Sequence, residues 1–414
     1  MAGLRFAPEF RVTINGAPVP AALRGSITSV SLQDGIKGAD RVELQLVNEG
    51  LRWLDHPLLS LGNTLTLALG YAPDPLERVF VGEIVSHEAS FPGGGAPTLT
   101  VAAQDFLHRA ALGTKRRWFA RSTPLGSSPL PDAAVLGIVS AEQGLIPFME
   151  PFRDALSAGL SVLVGGAEVI GAGGSKEERQ KLIRKQVGED DLAFLGRVAA
   201  ENGWDMFVDH RGPLGGYVLR FQSSLAYFAP DVTLRYGHSL IEFTPRVSTI
   251  GQIAAVTVNV WVPQIKTSFA ITAGWDWDRR ALTLDIRPAV NTAGRGSLGF
   301  KSGTLELIEE PLTLASAPRV IVSKLVPRLN ERLTGTGSTV GDPRLAAGRV
   351  LRLDGVGEEF GGLYRITGTR HTIDSGGYRT SFDVRKEIWF AGSPHPEQGA
   401  SRIGDVPVAS ARVL

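Results

Sequence analysis

The sequence predicts a β-rich α+β fold, with two related small β-barrels and an α+β middle region between them. One observation is the stretch 62–105, where apolar and polar residues alternate over three segments separated by turns rich in glycine and proline. Another is the return of this pattern at 348–384, which indicates an internal repeat. The third is a middle stretch in which a helical period replaces the alternation.

The composition fits an ordinary globular protein of several domains. Its 414 residues suit two to four domains, and 43% hydrophobic residues suffice for their cores. The net charge of +1 does not supply the large positive field of nucleic-acid or anionic-membrane binders. Because the chain contains no cysteine, disulfides, thiolate metal sites and cysteine nucleophiles are excluded. The N-terminus lacks the pattern of a secretory signal, so we expect synthesis in the cytoplasm.

The first predicted barrel covers residues 1–112. Three alternating segments precede the strands of 62–105, and they lie at 9–15, 27–34 and 41–48. Asn15-Gly16 is a strong signal for a tight hairpin turn. About six strands are enough to close a small barrel. Residues 106–111 then form a predicted short helix that leaves it.

The middle region, 113–230, is predicted to contain both helices and strands. Its clearest helix is predicted at 190–202, where Asp190 is a suitable N-cap, the apolar residues share one face and Gly203 follows. The other predicted elements are a linker at 113–131, a helix at 132–143, a charged helix or hinge at 175–186 and a hairpin formed by 204–208 and 217–221.

An apolar, glycine-rich segment at 155–174 is long enough to cross a bilayer, at roughly 20 residues. Its glycines weaken a helix, and Glu168 would place a carboxylate inside the membrane. We therefore predict a buried strand pair or an apolar loop here rather than a membrane span.

The second β-rich region, 231–390, contains the repeat at 348–384, and the tail 391–414 is predicted to be extended. His87 and His371 fall at the same place in the two copies of the repeat, which favours structural roles over metal binding. The other predicted elements are strands at 232–236, 240–243, 255–262, 269–272 and 281–286, and a helix at 315–333 that Pro327 kinks or ends.

Signals for catalysis or ligand binding are weak. The glycines at 165–174 suggest a phosphate-binding loop, but Ala172 and Gly173 stand where the lysine and the hydroxyl residue are required. The seven histidines lack zinc-site spacing, and there is no Gly-x-Ser-x-Gly nucleophile motif. The basic cluster at 115–117, next to Trp118, favours a surface loop or a protein contact over a nucleic-acid site in a neutral chain. We therefore predict no catalytic, cofactor-binding or metal-binding residue.

Four sets of segments, spread over nearly the whole chain, carry a family resemblance. They are PEFRVTING at 8–16, LGY at 69–71 with VFVGEI at 79–84, EDDLAFLGRVAAENGW at 189–204, and GLYRITGTRHTIDSGGYRTSF at 362–382. In these segments the chain resembles the phage late-control D family, the hub proteins of contractile tails and injection systems. That family is related to the base of the type VI valine-glycine-repeat spike.

The resemblance implies tail-tube-like barrels and a homotrimer in which two barrels per chain form a ring with pseudo-sixfold symmetry. Such a ring would join a threefold spike to the sixfold inner tube as a structural, non-enzymatic baseplate hub in a virion tail or injection particle. The implied partners are a hexameric inner tube protein, other baseplate proteins and a separate spike protein, since no valine-glycine needle follows residue 390. No nucleic-acid partner and no membrane span are implied. The structural or interface candidates are Gly70, Tyr71, Gly82, His87, Trp118, Phe194, Trp204, Tyr364 and His371.

Two alternative functions stay open. A peptidoglycan-degrading tail enzyme would need two carboxylates held in one cleft. A carbohydrate-binding β module would use Trp275 and Trp277 as its platform. The acidic pairs that such an enzyme could use lie at 189–191, 276 and 278, 309–310, and 358–359, and each also has a structural explanation.

Overall fold

The computed structural model describes residues 7–123, 126–149, 183–223, 229–248, 255–262, 266–276, 281–288, 305–312, 317–387 and 410–411. The 155–174 segment, the glycine loop within it and most of the 391–414 tail lie outside these residues, and so do Trp277 and Asp278.

Strands dominate the described chain. The N-terminal strands are β1 (Ala7–Ile14), β2 (Ala17–Pro18), β3 (Ile27–Gly35), β4 (Arg41–Val47), β5 (Thr64–Ala72), β6 (Glu77–Ser90) and β7 (Thr98–Gln104). The middle strands are β8 (Lys115–Thr123), β9 (Gly126–Pro129), β10 (Ile146–Met149), β11 (Arg184–Glu189), β12 (Trp204–Asp209) and β13 (Val218–Ser223). The C-terminal strands are β14 (Val232–Arg235), β15 (Leu240–Val247), β16 (Ala255–Val262), β17 (Thr267–Asp276), β18 (Ala281–Pro288), β19 (Leu305–Leu312), β20 (Leu333–Val340), β21 (Val350–Asp354), β22 (Gly362–Asp374), β23 (Gly377–Arg385) and β24 (Ser410–Ala411).

Helices are few and short in the described chain. The α-helices are α1 (Ala21–Ser26), α2 (Asp132–Glu142), α3 (Asp191–Glu201), α4 (Ala317–Asn330) and α5 (Gly357–Phe360). The 3₁₀ helices are Glu49–Leu51, Pro57–Leu59 and Phe106–Ala111. As predicted, the Asp190 carboxylate caps α3 by accepting from the Ala193 N–H at 2.7 Å. Pro327 lies within α4, three residues before its end.

One 13-stranded sheet contains both the first β-rich region and the repeat. Within it, one set of strands runs β3-β4-β7-β6-β5-β1 and a second set runs β15-β20-β23-β22-β21-β14. We call these sets the first half and the second half. Among the described residues, neither half closes on itself by a ladder: β3 and β1 are not paired, and the ends of β14 and β15 are joined by a single isolated bridge between Tyr236 and Leu240. The pairing is therefore that of one open sheet, whereas the sequence analysis predicted two closed barrels.

The two halves have the same strand order in space and in sequence. They also share their irregularities, since a β-bulge at Val85 on β6 corresponds to one at Thr367 on β22. Each half contains a three-stranded meander, β5–β6–β7 in the first half and β21–β22–β23 in the second. The connection into each meander begins with a glycine of positive φ, Gly62 or Gly348. The N–H of each glycine donates to the carbonyl oxygen of an equivalent isoleucine, at 2.8 Å in the first half and 2.9 Å in the second. One difference is that β1 pairs antiparallel with β5, whereas β14 pairs parallel with β21.

The halves are joined by an antiparallel ladder between β3 and the C-terminal part of β22, in which Gly35 pairs with Gly368 and Val30 with Ile373. The N-terminal part of β22 pairs on this same edge with β21. Ile373 and Tyr378 of the second half are buried in the hydrophobic core of the first. The two halves therefore share both main-chain pairing and core packing.

The shared bulge corrects the predicted equivalence of the two histidines. It aligns His87 with Thr369, so His371 lies two residues further along its strand. Both side chains nevertheless make a similar contact: Nε2 of His87 lies 2.6 Å from the Leu59 carbonyl oxygen, and Nε2 of His371 lies 3.1 Å from that of Leu345. Each leucine lies three residues before the glycine that opens the meander. The structural role predicted for both histidines thus has a physical basis in these contacts.

The middle region is inserted between the halves and packs its own core around Leu136, Phe194 and Phe221. Residues 113–131, predicted as a linker, instead supply β8 and β9, which pair with each other, and β8 also pairs with β11. Residues 184–186 of the predicted helix or hinge at 175–186 belong to β11. A second sheet has the order β10-β13-β12, and the β12–β13 pair is the predicted hairpin.

Close approach of β6 to β7 explains one of the singled-out glycines. Gly82 is buried, and a Cβ added to it would overlap the carbonyl oxygen of Gln104 and the ring of Phe80. Such overlap must move the backbone of a central strand. We expect Gly82→Ala to lower the free energy of unfolding by about 1–3 kcal/mol, measured by urea denaturation.

Gly93→Ala is the matched control, because Gly93 lies in an exposed turn where an added Cβ meets no atom within 4 Å. It should leave the unfolding midpoint nearly unchanged. Equal stability of the two variants would contradict the packing argument.

Candidate functional site

A group of buried ionisable side chains lies where the first half, the second half and the middle region meet. It consists of Asp34 on β3, Asp40 in the β3–β4 connection, Asp105 after β7 and His210 after β12. Three of them, Asp40, Asp105 and His210, are buried, with Asp105 at 0% exposure. A cavity of about 220 Å³ adjoins this junction, and Asp34, Asp40, His210 and Arg211 are among its lining residues. We call these four residues, Asp34, Asp40, Asp105 and His210, the junction cluster.

Asp34 connects the two halves through its carboxylate. Its Oδ1 accepts from both the N–H and the hydroxyl of Thr369, at 2.7 and 2.6 Å, and its Oδ2 accepts from the Ala347 N–H at 3.0 Å. Burial raises the pKa of Asp34, while the hydrogen bond from the Thr369 side chain lowers it. These three donors offset part of the desolvation cost of the carboxylate.

Asp40 connects the first half to the middle region. Its Oδ1 accepts from the Gly35 N–H at 3.0 Å, and its Oδ2 lies 2.9 Å from Nε2 of His210. Nδ1 of His210 accepts from the Val81 N–H at 3.2 Å, so Nε2 must carry the proton and donate it to Asp40. Burial lowers the pKa of His210, which favours this neutral tautomer.

Asp105 completes the cluster at the end of β7. Its Oδ2 accepts from the Asp40 N–H at 2.9 Å, and its Oδ1 accepts from the Leu107 N–H at 2.9 Å, where it caps the 3₁₀ helix Phe106–Ala111. Burial raises the pKa of Asp105 to about 7, and the charge of Asp40 adds to this effect. Burial also raises the pKa of Asp40 well above its usual range. The cluster therefore favours protonated carboxyl groups over several buried negative charges.

The arrangement does not require a metal ion. Oxygen and nitrogen atoms of Asp40, Asp105 and His210 lie within 4.8 Å of one another, close enough for one cation to bridge them. Each of these side-chain atoms already has a hydrogen-bond partner within the protein. The cluster thus fixes the relative positions of three parts of the chain without any further ligand.

Most of the predicted structural or interface residues are buried within the chain. Gly70 and Gly82 are packed in strands, and Phe194 and Tyr364 lie at 0% exposure. Trp204 is partly buried and its ring lies 6.4 Å from that of Phe221.

Tyr71 of the first half and His371 of the second half both contact residues of the second half. The Tyr71 hydroxyl donates to the Gly341 carbonyl at 2.9 Å, so it connects the halves. His371 contacts the Tyr378 hydroxyl at 2.9 Å, and burial lowers its pKa to about 4. His87 and Trp118 are the exposed members of the predicted set, Trp118 at 66%.

Several residues that the enzymatic or carbohydrate-binding alternative would need are buried or paired with other side chains. Trp275 is only 2% exposed, so it cannot serve as a sugar-binding platform. Asp191 is buried between Lys115 and Arg117, which also bind Glu142, so the basic cluster is largely paired with carboxylates. Glu189 binds Arg197. No described helix is long and apolar enough to cross a membrane.

Sequence reasoning did not single out the junction cluster. Its members are separated by up to 176 residues, from Asp34 to His210, and follow no motif. The one available signal was Asp105, an aspartate directly before a predicted helix, which is a common capping position.

The solved structures that share this fold include two tail proteins and a type VI secretion component. The 43 kDa tail protein of prophage MuSo2 from Shewanella oneidensis has a TM-score of 0.58 at 12% identity, covering 91% of this chain and 98% of that one. The tail protein from Neisseria meningitidis MC58 has a TM-score of 0.56 at 10% identity, covering 93% and 99%. The E. coli c3393 protein, a component of the type VI secretion system, has a TM-score of 0.54 at 12% identity, covering 90% and 76%. The chain thus has the fold of phage tail and type VI proteins over nearly its full length.

Sequence comparison adds little to this. No curated protein sequence matches the chain. A family model described as the Alg8 N-terminal domain matches residues 176–375, which is less than half of the chain. This range ends in the turn between β22 and β23 and so divides a hairpin of the second half. It does not correspond to a unit of the fold, and we assign no family from it.

The raised pKa of Asp105 predicts a pH-dependent stability. Between pH 4 and 7 the folded chain keeps a proton on Asp105 that the unfolded chain has released. The folded state therefore binds more protons, and its stability falls as the pH rises through about 7, by up to about 4 kcal/mol. Asp105→Asn cannot ionise, so we expect it to flatten the decrease in unfolding free energy between pH 5 and 8.

Asp74→Asn, in the exposed turn between β5 and β6, is the control and should keep the wild-type pH profile. A profile for Asp105→Asn that falls as steeply as that of the wild type would show that Asp105 is already ionised in the folded chain.

Proposed function

We propose that this protein is a structural baseplate hub of a contractile phage tail or contractile injection system, acting as a homotrimer that joins a threefold spike to the sixfold inner tube. The observation that carries the proposal is the repeated half: two sets of strands with the same order, bulges and glycine-opened meander lie in one chain. Three such chains present six similar surfaces while keeping threefold symmetry.

The shared fold supports this role. The similar structures include a prophage tail protein, a second tail protein and a type VI secretion component, and they are covered over most of their length. The partners we propose are a hexameric inner tube protein on one side, a separate spike protein on the other, and other baseplate proteins around the ring. The protein would then reside in an assembled virion tail or injection particle. This assignment corresponds to the late-control D type of hub.

A structural role without enzymatic activity agrees with the state of the buried polar groups. The junction cluster holds its carboxylates and imidazole in hydrogen bonds between parts of the chain. In the described chain, the acidic residues of 189–191 cap a helix or bind basic side chains. Peptidoglycan turnover that is lost when one carboxylate is changed would instead establish the enzymatic alternative.

Mass measurement in solution tests the proposed assembly. Light scattering or native mass spectrometry should find a trimer, alone or after addition of the spike protein, and the trimer should bind the hexameric tube protein. A chain that stays monomeric and binds neither spike nor tube protein would contradict the hub function.

A further inference from the structure

The duplicated half leaves two strand edges unpaired at equivalent places. On β22, the segment after the bulge pairs with β3. The equivalent segment, residues 86–90 of β6 with Phe91 directly after it, has no partner strand on that edge among the described residues. Likewise β3 is paired on both sides, whereas its equivalent β15 forms a ladder only with β20 in the described chain, and Leu240 at its start adds one isolated bridge to Tyr236. Each chain therefore contains one ladder between β3 and β22, and it also contains the equivalent strands β15 and β6, which are not paired with each other.

Burial shows the same asymmetry. Thr369, His371 and Ile373 on β22 are buried where β3 covers them. The equivalent residues of β6 are exposed, and Phe91 has 61% of its surface accessible. On β15, Ile241 and Val247 are exposed apolar side chains, at 50% and 36%.

We propose that these two edges pair between copies of the chain: β15 of one copy forms an antiparallel ladder with residues 86–91 of the next. The inference rests on the proposed hub function and names the contact that would close the ring. A head-to-tail contact between two different surfaces closes into a ring when its rotation permits. Pairing would also cover two edges that otherwise expose main-chain N–H and C=O groups.

The internal ladder fixes the register of the proposed one. The bulges after Ile27 on β3 and after Leu240 on β15 align these two strands, and those at Val85 and Thr367 align β6 with β22. Transferring the pairs of the internal ladder gives the following intermolecular pairs: Ser86 with Ser248, His87 with Val247, Glu88 with Arg246, Ala89 with Pro245, Ser90 with Thr244, and Phe91 with Phe243.

The side chains in this register are complementary. Glu88 and Arg246 are both exposed in the single chain and would be directly opposite, as an acid–base pair across two strands. Phe91 would meet Phe243, which already packs edge-on against Tyr364 at 5.7 Å. A one-residue slip would instead place the apolar residues of the two strands on opposite faces of the joined sheet.

Pro245 affects the strength of the proposed ladder. The Ser248 N–H donates to the Arg332 carbonyl towards β20, so by alternation Pro245 faces the open edge. Proline has no N–H, and the intermolecular ladder would therefore have one main-chain hydrogen bond fewer than the internal one. A proline on an edge also hinders indiscriminate strand pairing, which leaves selection to side chains such as Glu88 and Arg246.

Cysteine pairs test the register directly, since the chain contains no cysteine of its own. The Ile36 N–H donates to the Thr367 carbonyl, so the Ser31–Thr372 pair of the internal ladder is non-hydrogen-bonded, and Ser90–Thr244 is its equivalent. Such pairs have Cα atoms about 4.5 Å apart, which suits a disulfide. Oxidised Ser90→Cys/Thr244→Cys should give covalent dimers and trimers on a non-reducing gel, and nothing larger. Ser86→Cys/Thr244→Cys is shifted by four residues and should not cross-link.

A charge exchange gives an independent measurement. Glu88→Arg places like charges opposite each other and should weaken association by about two- to fivefold per interface, and adding Arg246→Glu should restore it. A wild-type trimer in which Ser90→Cys/Thr244→Cys gives no cross-link would overturn the proposed ladder and leave the hub function standing. A wild-type monomer that binds neither spike nor tube protein, and gives no cross-link, would overturn both.

Discussion

The pairing of β3 with β22 is the interaction on which the rest of the structure depends. It converts two open sets of strands into one sheet and gives main-chain partners to two edges that would otherwise be exposed. Asp34 strengthens the same connection, because its carboxylate binds the N–H and hydroxyl of Thr369 and the N–H of Ala347 across it. Main-chain pairing sets the register, and the buried carboxylate adds polar contacts that a register slip would break.

Two insertions, the middle region and the segment from β16 to α4, lie at positions that do not interrupt the pairing of β3 with β22. The middle region lies between the two halves in sequence, and β16 to β19 with α4 lie between β15 and β20 of the second half. Both insertions occur at connections, so the six-strand order of each half is the same. Asp40 and His210 then attach the middle region to the first half through a buried hydrogen bond. The fold is thus a duplicated sheet with insertions that are held at one junction.

Local patterns in the sequence predicted the six strands of the first half, the helix that Asp190 caps and the glycine-opened repeat, because alternation, capping and positive φ are properties of neighbouring residues. They missed β8, β9 and β11, which were predicted as a linker and a helix or hinge. They could not predict the open sheet, since closure depends on which distant edges meet. Nor could they place His371 two residues away from the position equivalent to His87, because one bulge shifts the register of a strand. The junction cluster could not be predicted either, because its contacts join residues that are far apart in the sequence: Asp34 binds Thr369, 335 residues away.

A buried histidine between carboxylates often indicates catalysis, and the hydrogen bonds of His210 show which of its atoms are already engaged. A general base needs a free lone pair within reach of a substrate proton. His210 uses Nδ1 to accept from Val81 and Nε2 to donate to Asp40, and both Asp105 oxygens accept main-chain N–H groups. Asp40 and His210 also line the cavity of about 220 Å³ at this junction. Their hydrogen bonds connect the first half to the middle region, and those of Asp34 connect the two halves, so the engaged polar atoms hold three parts of the chain together.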